Sequence, residues 1–324
     1  MKFKISVPAT SANLGSGFDL LGLALNIHNH FIFEILPKDH PDSFSFTVSE
    51  LVAKTGEGKN ILKMEQGRKN LIIKSFKLAF SEAGKAPPPM RIHADINIPF
   101  SRGLGSSSTA IAGGLSGANN ALLLLYNFAF SESELLTLAL RLENHPDNLA
   151  AAFRGGMVLC LPPEKKDSKL EVTDIALKLP IQLAGIIPHK TLETQKARKV
   201  VPQKISTQEA VFQMSRIALL IKLLNKQSLS DHDAELFKKA MQDKLHQKQR
   251  AKFLPGLLES LSLFEEFGAY GAYLSGAGTT IMGIWPPGLD VSVIPLEKEM
   301  NKKNISCAKI FPEIDKQGTI CKNL

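Results

Sequence analysis

Residues Pro99–Thr109 read PFSRGLGSSST, two glycines and then four consecutive hydroxyl side chains at the head of a run of small apolar residues. Gly103 and Gly105 let the backbone come close to an anion. The free N–H groups and dipole of a helix starting near Ser106 favour negative charge at the same place. Ser106, Ser107, Ser108 and Thr109 add hydroxyls, any one of which is able to ligate magnesium. The stretch therefore reads as a phosphate-binding loop opening a helix, or as a polar loop that only caps one. It is not a Walker loop, because no Gly-Lys-Ser/Thr triplet occurs in the chain. Nor is it a dinucleotide fingerprint, which needs glycine or alanine where this sequence has Ser108.

Working outward, the segments before the loop alternate with the period of two of half-buried strands: Phe3, Ile5, Val7; Phe31, Phe33, Ile35; Phe44, Phe46, Val48; and Ile92, Ala94, Ile96, Ile98. Asn70 to Gly84 is expected to be helical, with Leu71, Ile72, Phe76, Ala79 and Phe80 on one face and Pro87 to Pro89 beyond its end. After the loop a small-residue helix runs from Ser106 to about Phe128. Ser131 with Glu134 forms a capping box for the next helix, which is expected to end near Glu143. Met157 to Leu161 reads as a strand closing this half, and the charged run Pro162–Lys169 marks a boundary between domains 1–161 and 162–324. Beyond it, strands are expected at Leu170–Leu179 and Ile181–Ile187 and near Tyr273, Ile281, Val291 and Ile305. Helices are expected from a second capping box, Ser206 with Glu209, to Leu224, at Asp231–Leu245 and at Pro255–Phe267. Strands and helices that do not alternate strictly argue for two α+β domains with a site between them.

A chain of 324 residues, 44% hydrophobic, has enough apolar surface for two cores without staples. Lys and Arg outnumber Asp and Glu by 39 to 31, but the basic residues are scattered, which suits a solvated surface. Cys160, Cys307 and Cys321 are odd in number and lack metal-like spacing. With no apolar run long enough to span a membrane, they point to a reducing compartment, the cytoplasm.

Four further stretches carry polar groups able to do chemistry. VPATSANLGSGFD, Val7 to Asp19, offers Asn13 and Asp19 to hold an ammonium or hydroxyl group, or is a turn. LENHPDNLAAAFRGG, Leu142 to Gly156, gathers Glu143, His145, Asp147 and Asn148. They suit a metal-binding carboxylate and a polar group near an acceptor hydroxyl, with simple capping at Asp147 as the other reading; one histidine and no cysteine leave too few ligands for zinc. Thr194 and Arg198 share a helical face in ETQKAR, and Arg250 lies beside His246 in LHQKQRAKFLPG; arginines suit a carboxylate or phosphate, or a surface. YLSGAGTTIMGI, Tyr273 to Ile284, places a Gly-Ala-Gly turn within an apolar strand region, where a backbone comes close to a neighbour or to a bound phosphate.

These segments, in this order, resemble the GHMP kinase superfamily, named for galactokinase, homoserine kinase, mevalonate kinase and phosphomevalonate kinase. PATSANLGSGFD, PFSRGLGSSST and LSGAGTT carry the superfamily likeness. SANLG with Phe18 and Asp19, HPDN, TQKAR and LHQKQR with its downstream Pro-Gly point to the branch acting on L-homoserine. The resemblance implies a first domain like the second domain of ribosomal protein S5 and a ferredoxin-like second domain. It also implies ATP-dependent phosphorylation of the L-homoserine hydroxyl, often by a homodimer; neither nucleic acid nor membrane is an expected partner.

By the same resemblance, Pro99, Arg102, Gly103, Leu104, Gly105, Ser106, Ser107, Ser108 and Thr109 wrap the ATP phosphates, and Ser107 and Glu143 hold Mg2+. Asn13, Asp19, His145, Asn148, Thr194, Arg198 and Arg250 surround the amino acid, with Asn148, Arg198 and Asp147 as catalytic candidates. Ser16 and Thr279 stand where relatives usually have proline, Ser108 and Thr109 where they have alanine, and Arg102 where they have a smaller residue. Another acceptor of the superfamily (mevalonate, shikimate or an isoprenoid precursor), or a non-catalytic ligand- or nucleic-acid-binding regulator, are the alternatives.

Overall fold

The computed structural model describes residues 1–40, 44–48, 70–162, 170–292 and 294–324; residues 163–169 of the expected boundary run lie outside the described residues. Strands β1 (Lys2–Ala12) and β2 (Leu21–Ile35) pair antiparallel, Phe3 opposite Phe33 and Ile5 opposite Phe31, with a register shift at Pro8/Ala9. Strand β3 (Phe44–Val48) runs parallel to β4 (Met90–Asp95), which joins β2 antiparallel. Strand β5 (Met157–Leu161) pairs with the start of β2 and with β6 (Glu171–Asp174). A second, four-stranded antiparallel sheet has the order β10 (Cys307–Ile310), β7 (Gln182–Pro188), β9 (Ile281–Trp285), β8 (Gly271–Leu274). The chain then returns to the first sheet, where β11 (Ile320–Asn323) lines up beside β1.

The inward-facing Phe3, Ile5, Val7, Phe31, Phe33, Ile92 and Ala94 are buried under α1 (Leu71–Glu82), α2 (Ser106–Tyr126), α3 (Glu132–Leu140) and α4 (Pro146–Arg154). Stacked rings Phe3–Phe33, Phe33–Phe76 and Phe76–Phe80, with centroids 5.0 to 5.8 Å apart, tie sheet to helix. Helix α2 is built of small residues because the aromatic rings of β2 leave room for nothing larger: a Cβ on Gly113 or Gly117 would strike Phe31 or Phe33. Asn70 caps α1, and both expected capping boxes are formed, the second opening α6 (Thr207–Leu224) after the short α5 (Thr194–Lys199). An apolar seam between the sheets joins Leu21, Leu23, Leu25 and Met157 to Leu220, Leu223 and Leu224 of α6, Phe237 of α7 (Asp231–Ala240), Tyr273 and Met282. Short helix α8 (Gln247–Arg250), then α9 (Leu257–Glu266) and α10 (Leu296–Lys302), complete the second half.

Four expectations are corrected, the first being the strand expected over Leu170–Leu179, which ends at Asp174. Strand β4 stops at Asp95 rather than Ile98, because the Asn29 side chain accepts from the Asn97 and Ile98 N–H groups at 2.8 and 3.0 Å and takes the place of a ladder. Helix α7 ends at Ala240 rather than Leu245, because Asp243 accepts from the N–H groups of Leu245, His246 and Gln247 and starts a new turn. Val291 is in no strand. It follows Pro286, Pro287 and Gly288, where two missing N–H donors prevent a ladder, and its buried side chain joins the second core through a turn.

Candidate active site

The loop that opens at Pro99 ends at Gly105, a left-handed residue at the N-cap of α2, so the first N–H groups of a 21-residue helix open onto a cavity of about 740 Å³ between the two halves. Gly103 is also left-handed, with φ of 80°, and a Cβ there would strike the Ser275 carbonyl. The Gly276–Gly278 turn lies directly against the loop, as the glycines in LSGAGTT suggest, and both line the cavity. The contact is fixed by a chain of buried hydroxyls. Ser275 Oγ donates to the Gly103 carbonyl at 2.6 Å, so Ser11 Oγ donates to Ser275 at 2.7 Å and the Tyr273 hydroxyl to Ser11 at 2.9 Å. Burial pushes the Tyr273 phenol up, keeping it a donor. Ser11→Ala breaks this chain in the middle and strands Tyr273, and is expected to cost about 1 to 3 kcal/mol of stability in urea denaturation. An unchanged midpoint would contradict a stabilising role for this hydroxyl chain.

At the head of α2, Ser107 Oγ donates to Glu143 Oε2 at 3.3 Å, and Glu143 Oε1 is in contact with His145 Nδ1. Two hard oxygen donors beside an anion-binding helix terminus fit Mg2+, which takes its remaining ligands from water and phosphate. Ser106 and Ser108 also line the cavity. Pro99, Leu104 and Thr109 do not: Leu104 and Thr109 are buried, and the Thr109 hydroxyl is occupied by the Ser106 carbonyl and Asn29 Nδ2. The hydroxyl at a position usually alanine thus locks the loop to β2. Thr279 likewise ties its hydroxyl to the Lys190 carbonyl at 2.8 Å.

On the opposite wall, Arg198 grips both oxygens of Asp19 in a bidentate pair, while its buried Nε–H is left with no acceptor among the described residues. Asp19 therefore does not stand apart from the arginines but is already paired with one of them. It sits in a strained loop, with Asn13, Leu14 and Asp19 all at positive φ. Asn13 donates from Nδ2 to the Gly276 carbonyl and accepts from the Asp19 N–H, so one side chain joins this loop to the glycine turn. Arg250 is buried, and it, Thr194 and His145 line the cavity.

Between the two walls lies the start of α4. Pro146 at its first position places Asp147 and Asn148 in the opening turn, and Asn148 Oδ1 accepts from Thr10 Oγ1 at 2.8 Å. Asp147 Oδ1 accepts from the Asn148 N–H at 2.8 Å and from Asn148 Nδ2 at 3.2 Å. Burial, and after it the charge of Asp19, pushes the Asp147 carboxyl up from 3.8 to about 6. Because the folded value lies above the unfolded one, its contribution to stability is complete below about pH 4 and is lost as pH rises through 6. The loss is on the order of 3 kcal/mol. Asp147→Asn, isosteric and uncharged, is expected to be more stable than the parent at pH 7.5 by about 1 to 3 kcal/mol in urea denaturation, with the gap closing near pH 4. A variant less stable at both pH values would contradict the cause assigned here.

Sequence reasoning missed Thr10, whose hydroxyl holds Asn148 and against which a Cβ on Gly105 would collide, and His189, Thr191 and Glu193, which line the cavity from the loop before α5. Thr10 lay within the quoted PATSANLG stretch. The others carry no local signal.

Two sheets meeting at a cleft, with a glycine–serine loop at a helix N-terminus on one wall and paired ionic side chains on the other, define a small-molecule kinase of the GHMP class. The model for the GHMP kinases N terminal domain matches residues 70–156, and that for GHMP kinases C terminal matches residues 220–292. Homoserine kinase from Clostridium beijerinckii is 40% identical over 281 residues, covering 86% of this chain and 85% of that one. The Aquifex aeolicus homoserine kinase is 37% identical over 281 residues, covering 87% and 86%. The crystal structure of homoserine kinase from Cytophaga hutchinsonii matches with a TM-score of 0.79 over 99% of this chain and 97% of that one, at 23% identity. A mevalonate kinase matches with a TM-score of 0.67 over 97% and 99%, at 16% identity, and shares the fold. This chain belongs to the homoserine kinase family. It is an ATP-dependent kinase, with Mg2+ accompanying the nucleotide.

Proposed function

We propose that this protein transfers the γ-phosphoryl group of ATP to the side-chain hydroxyl of L-homoserine, giving O-phospho-L-homoserine on the cytoplasmic route to threonine. One observation supports the reading: a single cavity has a helix N-terminus suited to anions at one end and, at the other, the guanidinium groups of Arg198 and Arg250, with the Asp19 carboxylate just behind Arg198 and paired to it. Mevalonate and shikimate lack the ammonium group that Asp19 would meet. The three cysteines are free, and no described helix is long and apolar enough to cross a membrane, both in keeping with a cytoplasmic enzyme.

In the reaction the homoserine oxygen forms a bond to the γ-phosphorus as the bond to the ADP oxygen breaks, and the hydroxyl proton leaves. Bound Mg2+ neutralises charge on the phosphates; Ser107 and Glu143 would hold it. The N–H groups of the loop and of the first turn of α2 orient the phosphates at no cost in reorganisation. Arg250 and the unpaired Nε–H of Arg198 take the substrate carboxylate, and Asp19 takes its ammonium group. Asn148, held by Thr10 and Asp147, steadies the acceptor hydroxyl. Asp147, at about 6, is matched to receiving a proton near neutral pH. A coupled assay of ADP release with L-homoserine, mevalonate and shikimate tests the choice of acceptor. Turnover is expected with homoserine; turnover with mevalonate and none with homoserine would overturn it.

A further inference from the structure

Arg250 is a buried cation whose holders are neutral. Its Nε donates to the Ala197 carbonyl at 3.3 Å, its Nη1 to the Gly276 carbonyl at 2.7 Å and to His246 Nδ1 at 3.1 Å, and its guanidinium lies over the Phe18 ring, 5.4 Å from the centroid. Neutral acceptors fix the direction of a guanidinium without cancelling its charge, which leaves that charge for an anion in the cavity.

His246 is the one side chain in this set with a choice of tautomer, and its neighbours make that choice. Arginine only donates, so Nδ1 accepts from Arg250; the proton is therefore on Nε2, which donates to the Gly15 carbonyl at 3.1 Å. Burial keeps the ring neutral at physiological pH. Asp243 does not compete for Nε2. It lies 3.8 Å away, and its oxygens already accept from the N–H groups of Leu245, His246 and Gln247 and from Gln213 Nε2. The imidazole also stacks on Phe18 at 5.0 Å, and Phe18 in turn lies beneath Arg198 at 5.0 Å. One ring thus links Arg250 to the loop that carries Asn13 and Asp19.

We propose that His246, stacked on Phe18, is a positioning residue that aims Arg250 at the carboxylate of the amino-acid substrate and couples that aim to the Asp19 loop. The proposal rests on the reading of the cavity as a homoserine site. Steady-state kinetics of three variants test it. His246→Phe keeps the ring and its stacking but removes both the acceptor for Arg250 and the donor to Gly15, and is expected to raise the KM for homoserine about tenfold with kcat and the KM for ATP within about twofold. His246→Asn, which returns an acceptor oxygen near the place of Nδ1, is expected to recover most of that loss. Arg250→Ala is expected to raise the same KM further.

An unchanged homoserine KM in His246→Phe, or an equal rise in the KM for ATP, would overturn the positioning role. If His246→Phe does not fold, His246→Gln, which keeps a donor for Gly15, carries the same comparison. A homoserine KM that Arg250→Ala leaves unmoved, or a parent enzyme that does not phosphorylate homoserine, would instead overturn the reading of the cavity itself.

Discussion

Glu143→Ala is expected to lower turnover by roughly a hundredfold to a thousandfold, and to shift the Mg2+ dependence to higher concentration in the same experiment. Glu143 is the carboxylate that meets Ser107 Oγ at the N-terminus of α2, and its other oxygen is held by His145, so its direction is fixed before any metal arrives. On the proposed reading, removing it takes one hard ligand and one negative charge from the place where the phosphates and Mg2+ would meet. Glu143→Gln separates the two contributions, because the amide oxygen still accepts from Ser107 while the charge is gone. A magnesium titration of the rate distinguishes a metal ligand from a structural residue. Near-normal turnover with an unshifted magnesium curve would remove Glu143 from the metal site.

Arg198→Ala is expected to reduce kcat/KM for homoserine by roughly 30- to 150-fold, about 2 to 3 kcal/mol, with ATP binding unaltered. Truncating one member of a fully buried charge pair costs more than this. Here the side chains of Arg198 and Asp19 are 27% and 32% exposed, and solvent screens what is left behind. On the proposed reading the effect has two parts: the substrate carboxylate would lose a donor, and Asp19, whose backbone is left-handed, loses its ion-pair partner. Calorimetric titration with nucleotide and with homoserine, done separately, shows whether the loss is confined to the amino acid. An unaltered affinity for homoserine would assign Arg198 to the surface.

What was legible in the sequence was what is encoded locally. Capping boxes at Ser131 and Ser206, the helix expected from Asn70 and the alternating Phe3, Ile5, Val7 each need only a few neighbours to form, and the structure contains them. The first half of β2 was not legible as a strand, because Leu21 to Leu25 are buried on both faces and show no alternation. Nor was β11, whose four residues are all exposed and whose pairing with β1 closes across the whole chain. In the site, motifs marked Asn13, Asp19, Ser107, Glu143, Asn148, Arg198 and Arg250, and Asp19 alone of these does not line the cavity, reaching it through Arg198. Phe18 was marked only as part of a motif, and its stacking on His246 and Arg250 joins segments distant in sequence; Asp243, which caps the turn before His246, was not singled out. His246 did give one: it lies four residues before Arg250, the helical spacing that lets Nδ1 accept from that guanidinium.

A crystal structure with a nonhydrolysable ATP analogue, Mg2+ and L-homoserine tests the central claim most directly. The account predicts the β- and γ-phosphates on the N–H groups of residues 103 to 107. It predicts the amino-acid carboxylate against Arg198 and Arg250, and the hydroxyl between Asn148 and the γ-phosphate. Phosphates bound away from the head of α2, or an amino acid lying away from both arginines, would contradict it.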